Sequence, residues 1–314
     1  MFLRIGVVVN PRSRYLRRHP EAVARLERVV GRRGPVAVTT DLPSVEDAAR
    51  RFRADGVDVV GVVGGDGTAG IVARAVANAW DGEPHPPLAL LRGGTMNTVA
   101  NALGLPRGLP EARLLTLLRA TAGGSLPPVM RRTTLDVAGR AAFLFGTGVF
   151  ESFLRAYYGA GDGDPSAVTA ALTIARAAAS ALVQGAFIKE LTAPVVAALE
   201  IDGERLPERA YMAHCAGTVS QVGLGFTPFH LADTVDDAFH FLALHGSSAV
   251  VVRDLGRVWR GRAVRPRSGR DFVAREVVIH PAGGRLTYMA DGDLFEHGGP
   301  LTVRVGPRVP IVRI

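Results

Sequence analysis

The most informative part of the sequence is Val57-Asp58-Val59-Val60-Gly61-Val62-Val63-Gly64-Gly65-Asp66-Gly67-Thr68. Its apolar half predicts a buried strand, and its glycines let the backbone come close to a ligand. Helical spacing follows from Thr68 to Trp80. A strand, a glycine turn and a helix N-terminus form a phosphate cradle, because the first N–H groups of a helix have no partner within it. Asp66 is unusual beside a phosphate, since an anion there needs a metal ion or a proton, so the pattern indicates nucleotide chemistry.

The same alternation of strands and helices extends over the first 130 residues. Strands are predicted at Leu3–Val9, Val36–Thr40, Val57–Val63 and Leu88–Leu91. Helical spacing is found at Glu21–Val30, Val45–Ala54, Thr68–Trp80, Thr95–Leu103 and Glu111–Ala120. Repeated βα units predict an α/β domain with a doubly wound parallel sheet, whose ligands bind at the carboxyl ends of the strands.

The pattern changes after Pro128. Strand-like runs are found at Thr133–Val137, Ala142–Phe145, Val195–Ile201, Phe239–Leu244, Glu276–His280 and Leu301–Val305, with one helical block at Ser166–Val183. Strands without regular crossover helices predict a C-terminal antiparallel β-sandwich. We therefore expect domains at residues 1–130 and 131–314, with the last strands free to return to the first domain.

Composition indicates a soluble cytoplasmic protein. The chain has 314 residues, 47% hydrophobic and 21% charged, which is ordinary for two globular domains. Its single cysteine, Cys215, excludes an intramolecular disulfide and fits a reducing compartment. The most membrane-like stretch, Ala167–Ile188, is interrupted by Arg176 and Gln184 and is expected to be a packed helix.

The net charge of +8 is carried almost wholly by arginine. Such a charge attracts nucleic acid, anionic headgroups or phosphorylated substrates without choosing among them, and the base content of a gene explains it equally well. An arginine-rich stretch from Arg253 to Arg270 includes Trp259, which would suit an anionic membrane surface or a solvated helix face. No recognition motif accompanies these arginines, so nucleic-acid binding is not expected.

Other nucleotide and catalytic motifs are weak or absent. Gly65, Gly67 and Gly70 satisfy G-x-G-x-x-G, but they follow the third strand, and no acidic residue ends the next one. The P-loop, the nucleophile elbow, H-E-x-x-H and C-x-x-C are missing, and the eight histidines show no ligand spacing. We expect hydrogen-bonded or solvated structural roles for the histidines.

A second glycine loop, Arg92-Gly93-Gly94-Thr95-Met96-Asn97, follows the next strand and opens a helix. Thr95 can cap that helix or donate to a phosphate, and Asn97 offers a donor and an acceptor. Because the loop lies one βα unit after the first, a joint function of the two loops is favoured.

These motifs together resemble the diacylglycerol kinase catalytic-domain family. The resemblance rests on Gly64–Thr68, Gly94–Asn97 and Ala100–Pro106, in that order, with an early Asn10-Pro11 and a late Asp291-Gly292-Asp293. The family includes bacterial soluble lipid kinases and the sphingosine and ceramide kinases. The resemblance covers essentially the whole chain. It implies a nucleotide domain and a β-sandwich, with ATP-dependent phosphorylation of a lipid hydroxyl in the cleft between them.

The resemblance also implies cofactors and residue roles. ATP and Mg²⁺ are the expected cofactors, a lipid is the expected substrate, and a homodimer is one option for the assembly. Asp293 would be the general base, Asp66 would lie close to the phosphates and metal, and Asp237 would bind a structural Mg²⁺. The nucleotide would be held by Asn10, Thr40, Gly64, Gly65, Asp66, Gly67, Thr68, Gly94, Thr95, Asn97 and Asp291.

The chain departs from the family pattern at several positions. The family usually has Glu at Asp293, Asn-Glu at Gly70-Ile71, and glycine and a second aspartate at Ala238 and His240. Two other hypotheses therefore stay open: an enzyme resembling the NAD kinases, whose superfamily shares the Gly-Gly-Asp-Gly loop, and a non-catalytic homologue that binds nucleotide or lipid.

Overall fold

The computed structural model describes residues 2–158, 192–222, 226–232, 234 and 236–314. The chain divides into two compact units: unit 1 comprises Met1–Thr134 and Pro307–Ile314, and unit 2 comprises Leu135–Gly306. The final residues thus return to the first unit. The helical block expected at Ser166–Val183, within the stretch Ala167–Ile188, lies outside the described residues. Among the helices of the described part, none is long and apolar enough to cross a membrane.

Unit 1 contains a parallel sheet of short, buried, valine-rich strands. The strands are β1 Ile5–Val9, β2 Val36–Val38, β3 Val59–Val63 and β4 Leu88–Leu90, in the order β2-β1-β3-β4. Val7 lies opposite Val36 on one side and Gly61 on the other. The end of the chain adds a further parallel strand, in which Ile311 pairs with Leu88.

Helices cover both faces of this sheet, as the predicted α/β domain requires. They are α1 Arg14–Arg18, α2 Ala22–Val30, a 3-10 turn Gly31–Arg33, α3 Leu42–Ala54, α4 Asp66–Trp80, α5 Thr98–Ala102 and α6 Pro110–Ala120. Leu26 of α2 and Leu114 of α6 pack with Val7 in one core. On the other face Phe52 of α3 fills the space beside Gly6, where a Cβ would lie 2.8 Å from its ring. The prediction of the N-terminal fold is confirmed.

Unit 2 is built mainly from antiparallel strands. Its elements, including two that cross from one unit to the other, are β5 Val129–Val137, β6 Arg140–Ala142, β7 Leu144–Thr147, α7 Val149–Tyr158, β8 Val195–Ile201, β9 Glu204–Tyr211, β10 Ala213–Gly217, β11 Phe239–Leu244, α8 Ser248–Trp259, β12 Gly269–Ala274, β13 Glu276–Pro281, β14 Arg285–Ala290, β15 Asp293–Gly298 and β16 Leu301–Val312.

Two sheets enclose the core of unit 2. One has the order β12-β11-β10-β7-β14-β15, and the other contributes β16-β13-β8-β9. Phe145 and Phe241 from the first sheet share a buried cluster with Val277 and Leu301 from the second. Because side chains of both sheets fill one core, the predicted β-sandwich is confirmed.

Two local expectations are wrong. The strand expected at Ala142–Phe145 is interrupted at Phe143, whose N–H donates to the Asp291 carboxylate and not to a neighbouring strand. The helix expected from Thr95 begins only at Thr98, because Asn97 adopts a left-handed backbone conformation with φ 48°. Thr95 is therefore not the N-cap of α5.

Candidate functional site

The two glycine loops of unit 1 touch through their backbones. The N–H of Gly94 donates to the carbonyl of Gly64 at 3.0 Å. A Cβ on Gly94 would lie 2.5 Å from the Cα of Gly65, and one on Gly93 would lie 2.9 Å from the nitrogen of Gly64. Real Cβ atoms do not approach so closely, so the contact requires glycine in the second loop.

Asp66 joins the two loops. It is the first residue of α4, and its carboxylate accepts hydrogen bonds from the N–H groups of Thr98 at 2.8 Å and Val99 at 3.0 Å. Burial raises the pKa of the Asp66 carboxyl, while these two donors act to lower it. A carboxylate at the start of a helix satisfies N–H groups that lack a partner within the helix. Asp66 therefore caps α5 from a neighbouring helix, and its catalytic role stays a prediction.

Asn97 holds the second loop in shape. Its Oδ1 accepts from the N–H of Gly94 at 3.1 Å, and its Nδ2 donates to the Gly94 carbonyl at 2.9 Å. The neighbouring Thr95 is partly exposed, and its hydroxyl has no hydrogen-bond partner within the described part of the chain. Asn97 thus orders the loop, whereas the Thr95 hydroxyl is available to a ligand.

Asn10 links the loop after β1 to the first glycine loop. Its N–H donates to Val63 at 2.9 Å, and its Nδ2 donates to the Thr68 hydroxyl at 2.9 Å. Thr68 lies over Gly64, where a Cβ would be 2.5 Å from the Thr68 side chain. Thr40 follows β2, is exposed, and donates its N–H to the Ser44 hydroxyl at 3.1 Å.

The sheet brings these residues to one edge. Asn10, Thr40, Gly64 and Gly94 follow the carboxyl ends of the parallel strands β1 to β4. Gly65 is the N-cap residue of α4 and offers no side chain to the N–H groups of the first turn. Such a helix N-terminus binds phosphate and other anions through its backbone donors.

Arg92, which the sequence did not single out, supports the second loop. Its guanidinium donates to the carbonyls of Leu105 and Pro106 at 2.6 and 3.0 Å and to the side chain of Asn101 at 2.8 Å. Burial lowers the pKa of Arg92. All three acceptors belong to the Ala100–Pro106 motif, so that motif is ordered by an arginine held inside the protein.

In unit 2, the Asp291-Gly292 pair forms the two-residue turn between β14 and β15. Both residues have positive φ, 48° and 93°, as a tight hairpin turn requires. The Asp291 carboxylate accepts from the N–H of Phe143 at 3.0 Å and of Leu144 at 2.9 Å. Asp291 is thus part of the scaffold of unit 2, and its contact with a nucleotide stays a prediction.

Asp293, the first residue of β15, is exposed. Although the residue as a whole is exposed, protein atoms partly shield its carboxyl group from water, and this raises the pKa of Asp293. The charge of Arg140 acts to lower that pKa. The carboxylate has no hydrogen-bond partner among the described residues. An exposed carboxylate with a raised pKa can accept a proton from a bound hydroxyl.

The surroundings of Asp237 differ from an oxygen-rich Mg²⁺ site. Asp237 is exposed with φ 57° shortly before β11. At the position of the family's second aspartate stands His240, the second residue of β11, whose buried imidazole is hydrogen-bonded to Asp271 at 2.8 Å. Mg²⁺ prefers oxygen ligands. The imidazole of His240 is therefore a poorer Mg²⁺ ligand than the aspartate usual in the family, and metal binding at Asp237 stays a prediction. His230 also lies beside His240, a grouping that the spacing of the histidines did not predict.

Comparison with known proteins finds one matching family model and several similar folds. Residues 4–124 match the family model of the diacylglycerol kinase catalytic domain, so the family resemblance is confirmed over this part of the chain. A solved structure of a candidate diacylglycerol kinase from Bacillus anthracis str. Sterne is similar with a TM-score of 0.70 at 16% identity, covering 100% of this chain and 98% of that one.

Another structure, of a diacylglycerol kinase from the same organism, has a TM-score of 0.63 at 14% identity and covers 100% of this chain and 97% of that one. At such identities the likeness shows the fold. No curated protein matches the sequence. The family match and the fold support a kinase-type enzyme.

Proposed function

We propose that this chain is an ATP- and Mg²⁺-dependent lipid kinase that phosphorylates a hydroxyl of a diacylglycerol-like or sphingoid-like lipid. The observation that carries the proposal is the backbone contact between Gly64-Gly65 and Gly93-Gly94 at the N-terminus of α4. This contact lies within residues 4–124, which match the diacylglycerol kinase catalytic domain.

The donors of unit 1 fit a polyphosphate. In the proposal, the first N–H groups of α4 bind phosphate oxygens, and the hydroxyls of Thr68 and Thr95 add further donors. Asp66 and Asn97 hold the loops at the separation that the phosphates need. The Asp66 oxygens retain lone pairs, which fits Mg²⁺ held mainly by phosphate oxygens and water. Bound ATP with Mg²⁺ would supply the phosphoryl group and neutralise its charge.

Asp293 is the proposed general base. The lipid hydroxyl oxygen forms a bond to the γ-phosphorus, the bond from that phosphorus to the bridging oxygen breaks, and ADP leaves. The hydroxyl proton passes to the Asp293 carboxylate. The exposure of Asp293 and its raised pKa both suit this step.

The test is a labelled-ATP assay against fractionated lipids, with mass analysis of the product. Asp293→Asn is expected to lower the transfer rate by about a hundredfold or more, because general base catalysis contributes at least that factor. Glu296→Gln, at an exposed carboxylate on the same strand, is the matched control and is expected to keep the wild-type rate.

Three other outcomes would contradict part or all of this proposal. If the Asp293→Asn variant transferred phosphate at the wild-type rate, Asp293 would not be the general base. Phosphorylation of NAD instead of any lipid would favour the NAD kinase-like alternative. ATP binding without transfer to any acceptor would favour a non-catalytic homologue.

A lipid substrate also requires access to a membrane, and we propose contact with an anionic bilayer through α8. Trp259, the last residue of α8, is 56% exposed. Arg253 within α8 and Arg260 directly after it are exposed as well. Each basic residue near an anionic surface contributes about 1 kcal/mol. Trp259→Ala and Arg260→Gln are expected to weaken binding to phosphatidylserine vesicles, whereas Arg205→Gln on β9 is not. Equal binding to neutral phosphatidylcholine vesicles would contradict the proposal.

A further inference from the structure

Three side chains of metal-ligating type gather on one face of the six-stranded sheet of unit 2. His230, His240 and Asp271 each place a ligand atom within 4.8 Å of the other two. In the register of β11 and β12, Leu242 lies opposite Asp271. His240 is two residues from Leu242 on β11, so His240 and Asp271 are diagonal neighbours on the same face of the sheet. Phe241 points to the opposite face, into the core of the sandwich. The cluster is therefore separate from that core.

The loop before β11 is docked onto this face. Phe229 is only 1% exposed and packs where Gly217 has no side chain, since a Cβ there would lie 2.2 Å from the Phe229 ring. This packing brings the next residue, His230, against His240, with ring centroids 4.9 Å apart and perpendicular planes.

The hydrogen bonds leave one imidazole nitrogen unused. The Leu231 N–H donates to Nδ1 of His240 at 3.3 Å, so Nε2 carries the proton and donates to Asp271 at 2.8 Å. Nδ1 of His230 is buried and has no partner among the described residues. A buried polar atom without a partner destabilises the folded protein, and a ligand bound to that atom removes the cost.

We propose that His230, His240 and Asp271 bind a divalent transition-metal ion, with Zn²⁺ as the best fit. Two imidazoles and one carboxylate form a common zinc ligand set, and imidazole selects such ions over Mg²⁺. The ion displaces the Nε2 proton of His240 to solvent, and Asp271 changes from hydrogen-bond acceptor to ligand. Water completes the coordination.

The geometry allows this change with small movements. Zinc–ligand bonds of about 2.0–2.2 Å place tetrahedral ligand atoms roughly 3.3 Å apart. The His240 and Asp271 atoms are already 2.8 Å apart, and the other separations shorten from at most 4.8 Å. The side chain of Asp271 is 16% exposed, so an ion can reach it from solvent. The bound ion would fasten the loop carrying Phe229 to the sheet.

The test uses the full chain, stripped with a chelator and then dialysed against Zn²⁺ or Co²⁺. We expect one ion per chain, a visible Co²⁺ absorption of low-coordination type, and a higher unfolding temperature with Zn²⁺ than with Mg²⁺. His230→Ala is expected to weaken metal binding at least tenfold and to abolish the thermal shift. His297→Ala, a histidine at the other edge of the same sheet, is the matched control and is expected to behave as wild type.

Asp271→Asn provides a second variant should His230→Ala fail to fold, and it is expected to lose affinity in the same way. Wild-type protein that binds no Zn²⁺ would overturn the proposal. Equal Zn²⁺ binding by wild type and either ligand variant would overturn it as well. Metal binding and the unfolding temperature are both measured without kinase activity. Failure of the metal site would therefore leave the proposed function untouched, and the reverse also holds.

Discussion

The Asp66 carboxylate on α4 accepts a hydrogen bond of 2.8 Å from the N–H of Thr98, the first residue of α5. A residue of the first glycine loop thus caps the helix that follows the second loop. The two glycine loops are consequently linked through a hydrogen-bonded side chain. From the sequence, Asp66 was expected to need a metal ion or a proton and to lie close to the phosphates. The structure shows its contacts with backbone N–H groups, and the role beside phosphate and metal stays a prediction.

Replacing Asp66 is expected to weaken nucleotide binding and lower stability together. Asp66→Ala leaves the N–H groups of Thr98 and Val99 without their acceptor, which costs about 1–3 kcal/mol in the free energy of unfolding. Loosened loops are expected to lower the affinity for a non-hydrolysable ATP analogue about tenfold or more, the equivalent of about 1.4 kcal/mol. Calorimetric titration and urea unfolding measure the two effects.

The control for this variant is Asp58→Ala. Asp58 also accepts a backbone N–H, that of Arg4 at 2.7 Å, but it precedes β3 at the opposite end of the strand. Stability is expected to fall while affinity for the analogue stays unchanged. Equal losses of affinity in both variants would show that Asp66 acts on binding only through global stability.

Adding one methyl group at Gly94 is expected to separate the two glycine loops. In Gly94→Ala the new Cβ would lie 2.5 Å from the Cα of Gly65, so backbone must move. Misplacement of a binding group by about 1 Å can cost roughly a hundredfold in rate. We expect a comparable loss of phosphoryl transfer and clearly weaker ATP binding. Gly123→Ala, where nothing lies within 4 Å of the new Cβ, serves as control, and unimpaired ATP binding by Gly94→Ala would contradict the prediction.

Asp291 and Asp293 are expected to separate stability from chemistry. Asp291→Ala removes the acceptor for Phe143 and Leu144, and a loss of about 2 kcal/mol in the free energy of unfolding follows. Asp293→Asn changes an exposed side chain, so its urea midpoint is expected to stay close to wild type. A midpoint that falls more in Asp293→Asn than in Asp291→Ala would refute this division of roles.

His214 is expected to make the protein sensitive to acid. The ring is fully buried beside Thr147, and burial lowers the pKa of His214 from 6.5 to about 3. The unfolded chain therefore binds a proton that the folded protein does not between these two values. Stability present above pH 6.5 is lost as the pH falls toward 3, at about 1.4 kcal/mol per pH unit from this one group.

Urea unfolding between pH 6.5 and pH 4 measures this contribution. His214→Gln removes the titrating group, and we expect its stability to fall less steeply with acid than that of wild type. His297→Ala, at a histidine near the surface, provides the control. Identical slopes for wild type and His214→Gln would show that other groups govern the acid sensitivity.

Local features of the chain were enough to predict the two sheets and the glycine loops. The strands of unit 1 are short valine-rich runs in the sequence because they are buried on both faces. Their observed bounds therefore differ from the predicted ones by few residues. Strands such as Glu204–Tyr211 and Arg285–Ala290 were not predicted. They carry charged or half-exposed residues, and their cross-strand partners stabilise them more than their own composition.

Sequence alone was enough to locate the close backbone turns, because glycine content and apolar period are local properties. Its ordered motifs were also enough to show which family the first part of the chain resembles. The contacts of the polar side chains became visible in the tertiary structure: Asp66 with the N–H of Thr98, Asp291 with the N–H of Phe143, and His230 with His240 and Asp271. These partners are distant along the chain or follow no helical or strand period. Sheet register and loop docking bring them together, and no local pattern encodes either.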